Sequence, residues 1–537
     1  MDSIHLQGIE LESVLDNLDQ QGLVRRIWQK DFLLWKSDPA EIVNRLGWLS
    51  ITEVMRKQVS SIQQFVEQVR NAGFDTVVLL GMGGSSLGAE VLWRAFGSSR
   101  GYLKLIVLDS TVPAEVTAVA ESIDPMHTLF LVSSKSGSTV ETLLLFQYFK
   151  GLLDSVGGKH KIGQNFVAIT DPGTPLVRIA EEQNFRRIFL NSPDLGGRYS
   201  VLSYFGLVPA ALIGIDIELL LERAIHMQLE CSSSVTAHSN PGAWLGATIG
   251  SMALKGRDKL TVITSSQISR FGLWIEQLIA ESTGKEGKGV IPVIAEPLVI
   301  PEYYGNDRLF IYLRLKDDDN SITGKAIHKL KLSGQPVLTL DMNDKYDLGA
   351  EFFRWEFATA VAGAILEINP FDQPDVQKSK ERTKYVLEEY TKSGCLPDDR
   401  PAISVAELLA EMKEGDYFAI MAYIHRTPEV DNMLCNLRRK IVLQYHIATT
   451  LGYGPSLLHS TGQLHKGGPN TGLFLQVTGE HEKDLLIPEE PYTFGVVADA
   501  QAMGDFQILH ESRRRIARTH LEKQDESYMK QWMGKIF

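Results

Sequence analysis

Strand and helix signals alternate from residue 73 to 385, which predicts an α/β protein with two three-layer α/β/α sandwich domains built on parallel sheets. Three observations carry this reading. Apolar runs such as "DTVVLLG" and "HTLFLVS" end in glycine- or serine-rich turns and lead into helical patterns. The same unit starts again near Trp244, without obvious sequence repetition. The chain has 537 residues, 44% hydrophobic and 22% charged, which suits a globular protein with a large core.

Residues 1–72 read as a charged, helical N-terminal segment. The first domain, 73–230, takes its strands from "DTVVLLG", "YLKLIVLDS", "HTLFLVS", "NFVAIT" and "RRIFL", with the helix "VETLLLFQYFKGLL" after the third. The second, 240–385, takes strands from "DKLTVITS", "RLFIYLRL" and "QPVLTLDM", and helices from "GATIGSMALKG", "RFGLWIEQLIAESTGK" and "EFFRWEFATAVAGAILEI". Residues 386–537 read as a tail of helices with the glycine-rich "STGQLHKGGPNTG" and the strand "LFLQVT". The basic run Arg513–Arg515 reads there as a solvated helix face.

Composition narrows the function. The net charge of −12 argues against a nucleic-acid partner. Cys231, Cys395 and Cys435 lie far apart without CxxC spacing, which suits a reducing cytoplasm and offers no metal site. The N-terminus is acidic and amphipathic, unlike a signal peptide, and no apolar run reaches membrane-spanning length. A cytoplasmic protein with no membrane partner is therefore expected.

The suspicious turns lie at predicted strand ends, where ligands bind in open α/β sheets. "GMGGSSLGAE" supplies Gly84, Ser85 and Ser86 before a helix whose free amides and dipole favour an anion. A plain glycine turn would read the same. "SSKSGSTVET" puts Ser134, Ser136, Ser138 and Thr139, with Lys135, at a helix N-terminus. One hydroxyl caps a helix; four within six residues favour a phosphate monoester. Arg198 follows two glycines in "DLGGRYS" and offers a fixed cation, or a surface salt bridge. Gln277 and Glu281 stand four residues apart near a helix end, where a desolvated glutamate serves as general base and a solvated one does nothing. His465, among glycines, suits a proton relay or a loop hydrogen bond. His328, His446 and His459 compete with it, in surroundings that read as more structural. "INPFDQPDVQKSK" adds Asp372, Gln373 and Lys380.

Together these motifs resemble the glucose-6-phosphate isomerases, a family built from two sugar-isomerase (SIS) domains. "DLGGRYSVLSYFG", "ESTGK", "GMGGSS", "SSKSGSTVET" and "FDQPDVQKSK" resemble its signatures in consistent order from Asp75 to Lys380. "GQLHKGGPNTG" and "INPFDQPDVQ" are most similar to the branch sometimes fused to transaldolase. The resemblance implies that Gly84, Ser85 and Gln277 bind sugar and that Ser134, Lys135, Ser136, Ser138 and Thr139 hold its phosphate. It implies Glu281 as catalytic base, Arg198 beside C1 and C2, and Lys380 at the ring oxygen. Two departures stand out. Asp375 and Gln377 replace the family's preferred glycine and glutamate. The family's ring-opening histidine precedes the second signature, whereas the similar "GQLH" follows it; the resemblance implies His465, with Lys380, as the ring opener, brought back to the site by the tail of this chain or of a partner subunit.

The activity so implied is reversible conversion of glucose 6-phosphate to fructose 6-phosphate through a cis-enediol, in glycolysis and gluconeogenesis. No metal or organic cofactor is expected, and a homodimer is. Three alternatives stand beside it: an isomerase that also takes mannose 6-phosphate, a non-catalytic SIS sensor of sugar phosphates, and the synthase half of an amidotransferase. The sensor would need the phosphate turns but not Glu281. The synthase would come with a glutaminase domain, which this sequence lacks.

Overall fold

The computed structural model describes residues 11–157, 162–397, 403–524 and 526–536. The first ten residues of the expected helical N-terminal segment lie outside these. The rest of the segment is helical, in Leu11–Gln20, Leu23–Trp28, Ile51–Arg56 and Val59–Asn71.

The first sheet contains β1 (Thr76–Gly81), β2 (Lys104–Leu108), β3 (Thr128–Ser133), β4 (Phe166–Thr170) and β5 (Arg187–Leu190), all parallel, in the order β2-β1-β3-β4-β5. Every residue of β1 and β3 is buried, as expected of strands covered on both faces by helices. All five strands match the apolar runs read from the sequence. The second sheet contains β6 (Lys259–Thr264), β7 (Ile291–Ile294), β8 (Arg308–Leu315) and β9 (Val337–Met342), again parallel, in the order β7-β6-β8-β9. Strand β7, "IPVI", has no counterpart among the expected strands; four residues beside a glycine-rich turn give too short a pattern to recognise.

The C-terminal region departs most from expectation. It is not a helical tail with one strand. It folds into a third parallel sheet of β10 (Tyr417–Tyr423), β11 (Ala448–Tyr453), β12 (Gly472–Gly479) and β13 (Arg515–Leu521), ordered β11-β10-β12-β13. All three sheets thus share one pattern: the first strand is central, the second lies outside it, and the third and fourth follow on the other side. The basic run is a strand entry rather than a helix face. Arg515 opens β13 and forms a two-pronged ion pair with Asp416, at 2.6 and 2.7 Å.

Sheets two and three are tied through their outer strands. Arg438 donates to the carbonyls of Ile294 (2.9 Å) and Thr449 (2.7 Å), and the Thr449 amide donates to Glu296 (2.7 Å). Arg308, fully buried, pairs with the same Glu296 at 2.9 Å. Each charge enters the core with a partner, which offsets its desolvation. No helix among the described residues is long and apolar enough to cross a membrane.

Candidate active site

The glycine turn after β1 is where segments from three parts of the chain close on one another. Gly83 has φ +54°, and a side chain there would meet the His459 carbonyl at 2.7 Å. A side chain at Gly84 would lie 2.0 Å from the Gly197 carbonyl oxygen. Only glycine permits both approaches. The turn thereby seats Arg198 on one side and the 456–459 loop on the other. Ser85 is buried, and its carbonyl accepts from Ser133 Oγ at 2.8 Å.

The serine turn follows β3 and leads into the helix Val140–Gly157. Ser134 is buried and its hydroxyl lies 2.8 Å from that of Thr139. Ser136 and Ser138 are exposed and bond each other at 3.0 Å. Lys135 is tied to Asp171 at 2.7 Å, so its charge is partly neutralised there.

Glu281 sits in the last turns of the helix Phe271–Thr283 and is only 5% exposed. The solvated alternative for this carboxylate is thereby removed. One Oε accepts from Gln277 Nε2 at 3.0 Å; the other lies 3.8 Å from Arg198 Nη1. Arg198 is held along its whole fork, with Nε to Ser282 Oγ (2.7 Å), Nη1 to Gln373 (3.0 Å), and Nη2 to the Pro370 (2.7 Å) and Asp372 (2.9 Å) carbonyls. It is buried, not a surface salt bridge. Lys285 pins the same 369–373 segment through the Asn369 carbonyl and both a carbonyl and a carboxylate oxygen of Asp372. Burial, then the nearby Arg198 charge, push the Lys285 ammonium down to about 8.

Two more residues complete the site: Glu141, which escapes the sequence reading, and His459, which the sequence offers only as a competing histidine in structural surroundings. Glu141, in the first turn after the serine motif, is buried. It lies 3.0 Å from His459 Nε2 and accepts from Gln501 Nε2 at 2.7 Å. Burial raises its proton affinity, but the His459 charge and hydrogen bond outweigh this and leave it below the usual carboxylate range. His459 ends the loop after β11, and its carbonyl accepts from Gln277 Nε2 at 2.8 Å. Gln277 therefore bridges Glu281 and the His459 loop. The available signal was the segment "LLHSTGQLH", in which His459 as well as His465 flanks the Gly-Gln pair.

His465 stands elsewhere. Its helix, Gly462–Gly467, places the ring 4.9 Å from Phe474, only 4% exposed, with Nδ1 lacking any hydrogen-bond partner. Burial, then the Lys466 and Arg514 charges, push it down to about 3, so it stays neutral. Among the described residues it makes no hydrogen bond or ion pair with Glu281, Arg198 or Glu141, although its helix packs against the helix that carries Glu281. His328 and His446 are exposed, on the helix Ser321–Leu332 and after the helix Pro428–Tyr445. Lys380 lies on the exposed face of the helix Val376–Ser393, close enough for its charge to stabilise ionised Glu141. Asp375, one of the two departures, exchanges two hydrogen bonds of 2.9 Å with the Gln463 side chain and so joins this helix to the third sheet's loop. Among the described residues Gln377 bonds only Glu381, on the surface, and nothing in the structure explains it.

The depressed histidine has a measurable consequence. Between about pH 6.5 and 3 the unfolded chain binds a proton at this side chain and the folded protein does not, so stability falls as pH drops through that window. The limit is about 1.4 kcal/mol per pH unit. His465→Gln is expected to flatten the decline of Tm across this range; an unchanged slope would show that His465 is not held neutral.

Parallel α/β sandwiches with a serine turn, a buried arginine–glutamate pair and strand-end loops meeting in one cleft define a protein of the sugar-isomerase fold. The family model described as Phosphoglucose isomerase matches residues 39–291, which contain Arg198, Gln277 and Glu281. The glucose-6-phosphate isomerase of Mycoplasmopsis pulmonis is 27% identical over 388 residues, covering 64% of this chain and 90% of that protein. That of Rubrobacter xylanophilus is 29% identical over 375 residues, covering 61% and 86%. Over residues 39–291 the chain is similar to the phosphoglucose isomerase family. In fold it is similar to a hypothetical protein from Thermus thermophilus, with TM-score 0.59 and 23% identity over 70% of this chain and 96% of that one. A glucose-6-phosphate isomerase structure from Chlamydia trachomatis has TM-score 0.59 and 18% identity over 71% and 86%.

Proposed function

We propose that this protein interconverts glucose 6-phosphate and fructose 6-phosphate. The observation that carries the reading is the buried constellation in which Gln277 links Glu281 to the His459 loop, with Arg198 at the Glu281 carboxylate and Glu141 at the His459 ring. An aldose and its ketose differ by a proton moved between C2 and C1, with matching proton shifts on oxygen. The chemistry needs a base for carbon, a relay for oxygen and a cation for the enediolate.

In this reading the phosphate docks on the serine turn, where Ser134 and Thr139 bond each other in the free protein and Ser136, Ser138 and Lys135 complete the rim. Gly84 and Ser85 line the sugar. The His459 imidazole, oriented by Glu141 as a carboxylate orients a relay histidine, moves the proton at the ring oxygen. The role expected of His465 passes to His459 on the geometry described above. Lys380 supports the pair through its charge. Glu281 then takes the C2 proton and returns it to C1. Arg198, immobilised by four hydrogen bonds, meets the developing oxyanion without reorganising. Phosphate binding far from the reacting carbons orients them.

The test is conversion of glucose 6-phosphate in tritiated water, followed by both fructose 6-phosphate formation and tritium at C1 of that product. Product with label is expected; neither product nor label, with sugar phosphate bound, would leave the sensor reading. Ser134→Ala combined with Thr139→Ala is expected to raise KM, at roughly 1.5–3 kcal/mol for each hydrogen bond lost to a charged group. A fall in kcat at constant KM would instead put this turn at the reacting end of the sugar.

A further inference from the structure

A second cavity, of about 570 Å³, lies behind the His459 loop, between elements of all three sheets. Its walls include the helix Leu87–Phe96, the ends of β2 and β11, and the first turns of the helices Phe271–Thr283 and Pro428–Tyr445. Its lining contains none of the residues assigned above to the reaction.

Four arginines, Arg94, Arg270, Arg426 and Arg438, and five carboxyl side chains, Glu90, Asp109, Glu115, Glu276 and Asp431, line it, and they are unevenly paired. Arg94 and Arg270 share one carboxylate, Glu90, at 3.9 and 3.7 Å, too long for hydrogen bonds, and neither guanidinium donates a hydrogen bond to the described protein. Arg426 stands near them, with Nε on Asp431 at 3.1 Å. Burial, and then the Arg426 charge, lower the proton affinity of Arg270, and Arg94 adds to the effect, so the three cations feel one another. On the helix that Arg270 caps, Glu276 lines the cavity, is 6% exposed and makes no hydrogen bond from its carboxyl to the described protein. Burial pushes it up to about 8, so it presents a neutral acid at pH 7.

We propose that this cavity is a second ligand site that takes a small phosphorylated polyol or sugar, its phosphate against Arg94, Arg270 and Arg426 and a hydroxyl on Glu276. A dianion matches clustered guanidinium groups, and a hydroxyl is the partner a protonated carboxyl lacks. The site adjoins the catalytic set at two points. Asp109, in its wall, accepts from Ser456 Oγ at 2.6 Å, three residues before His459, and Glu276 precedes Gln277 on the same helix.

Inorganic phosphate is the probe. Equilibrium dialysis should find one fewer phosphate bound per chain in Arg94→Gln combined with Arg270→Gln than in the native protein, because each lost charged contact weakens binding about ten-fold or more. KM for glucose 6-phosphate should hold. An unchanged phosphate count would overturn the proposal. Should the double variant fail to fold, the native protein decides: phosphate must protect Arg94 and Arg270 from phenylglyoxal, read by peptide mass spectrometry. Modification of both at the phosphate-free rate would overturn the site.

Discussion

Glu281→Gln is expected to lower kcat by at least ~10²-fold, the usual loss when a general base is removed. The amide keeps the shape of the side chain and can still accept from Gln277, so the fold and the cleft should survive. It cannot take a proton from carbon. The Arg198 guanidinium, 3.8 Å away, loses its nearest carboxylate but keeps its bonds to Ser282, Gln373 and the two carbonyls. Sugar-phosphate binding should therefore change little while tritium exchange at C2 disappears. A fully active variant would return Glu281 to a structural part and favour a binding protein over an enzyme.

His459→Ala should be comparably severe on the cyclic substrate, about 10²–10⁴-fold in kcat/KM, yet should spare C2 exchange in a sugar phosphate supplied in open-chain form. The imidazole is needed to open the ring, not to abstract the C2 proton. The same substitution leaves buried Glu141 with only Gln501 as a short partner, so Glu141→Gln should share much of the defect without adding to it. Because Gln277 bonds Glu281 and the His459 carbonyl within one chain, mixing Glu281→Gln protein with His459→Ala protein is expected to restore no activity. Restoration after subunit exchange would mean that the working histidine comes from a partner subunit.

Much of this protein could be read without its structure, and the reason is locality. Strands β1 to β5 are short apolar runs bounded by turn residues, and each signal lies within a window of about ten residues. Arg198 behind its glycines, the Gln277–Glu281 spacing and the serine turn are likewise single segments. The sequence therefore determined the parallel first sheet, the glycine and serine turns and the polar groups near the strand ends. It could not decide which histidine enters the cleft, because Glu141 and His459 are 318 residues apart and nothing in either segment names the other. Nor did it reveal the third sheet, whose β13 carries arginines and a histidine in a pattern that mimics a solvated helix. Tertiary packing made those decisions: repetition of the sheet pattern laid the loop after β11 against Gly83, and burial then separated two histidines six residues apart, leaving His459 against a carboxylate and His465 neutral against Phe474.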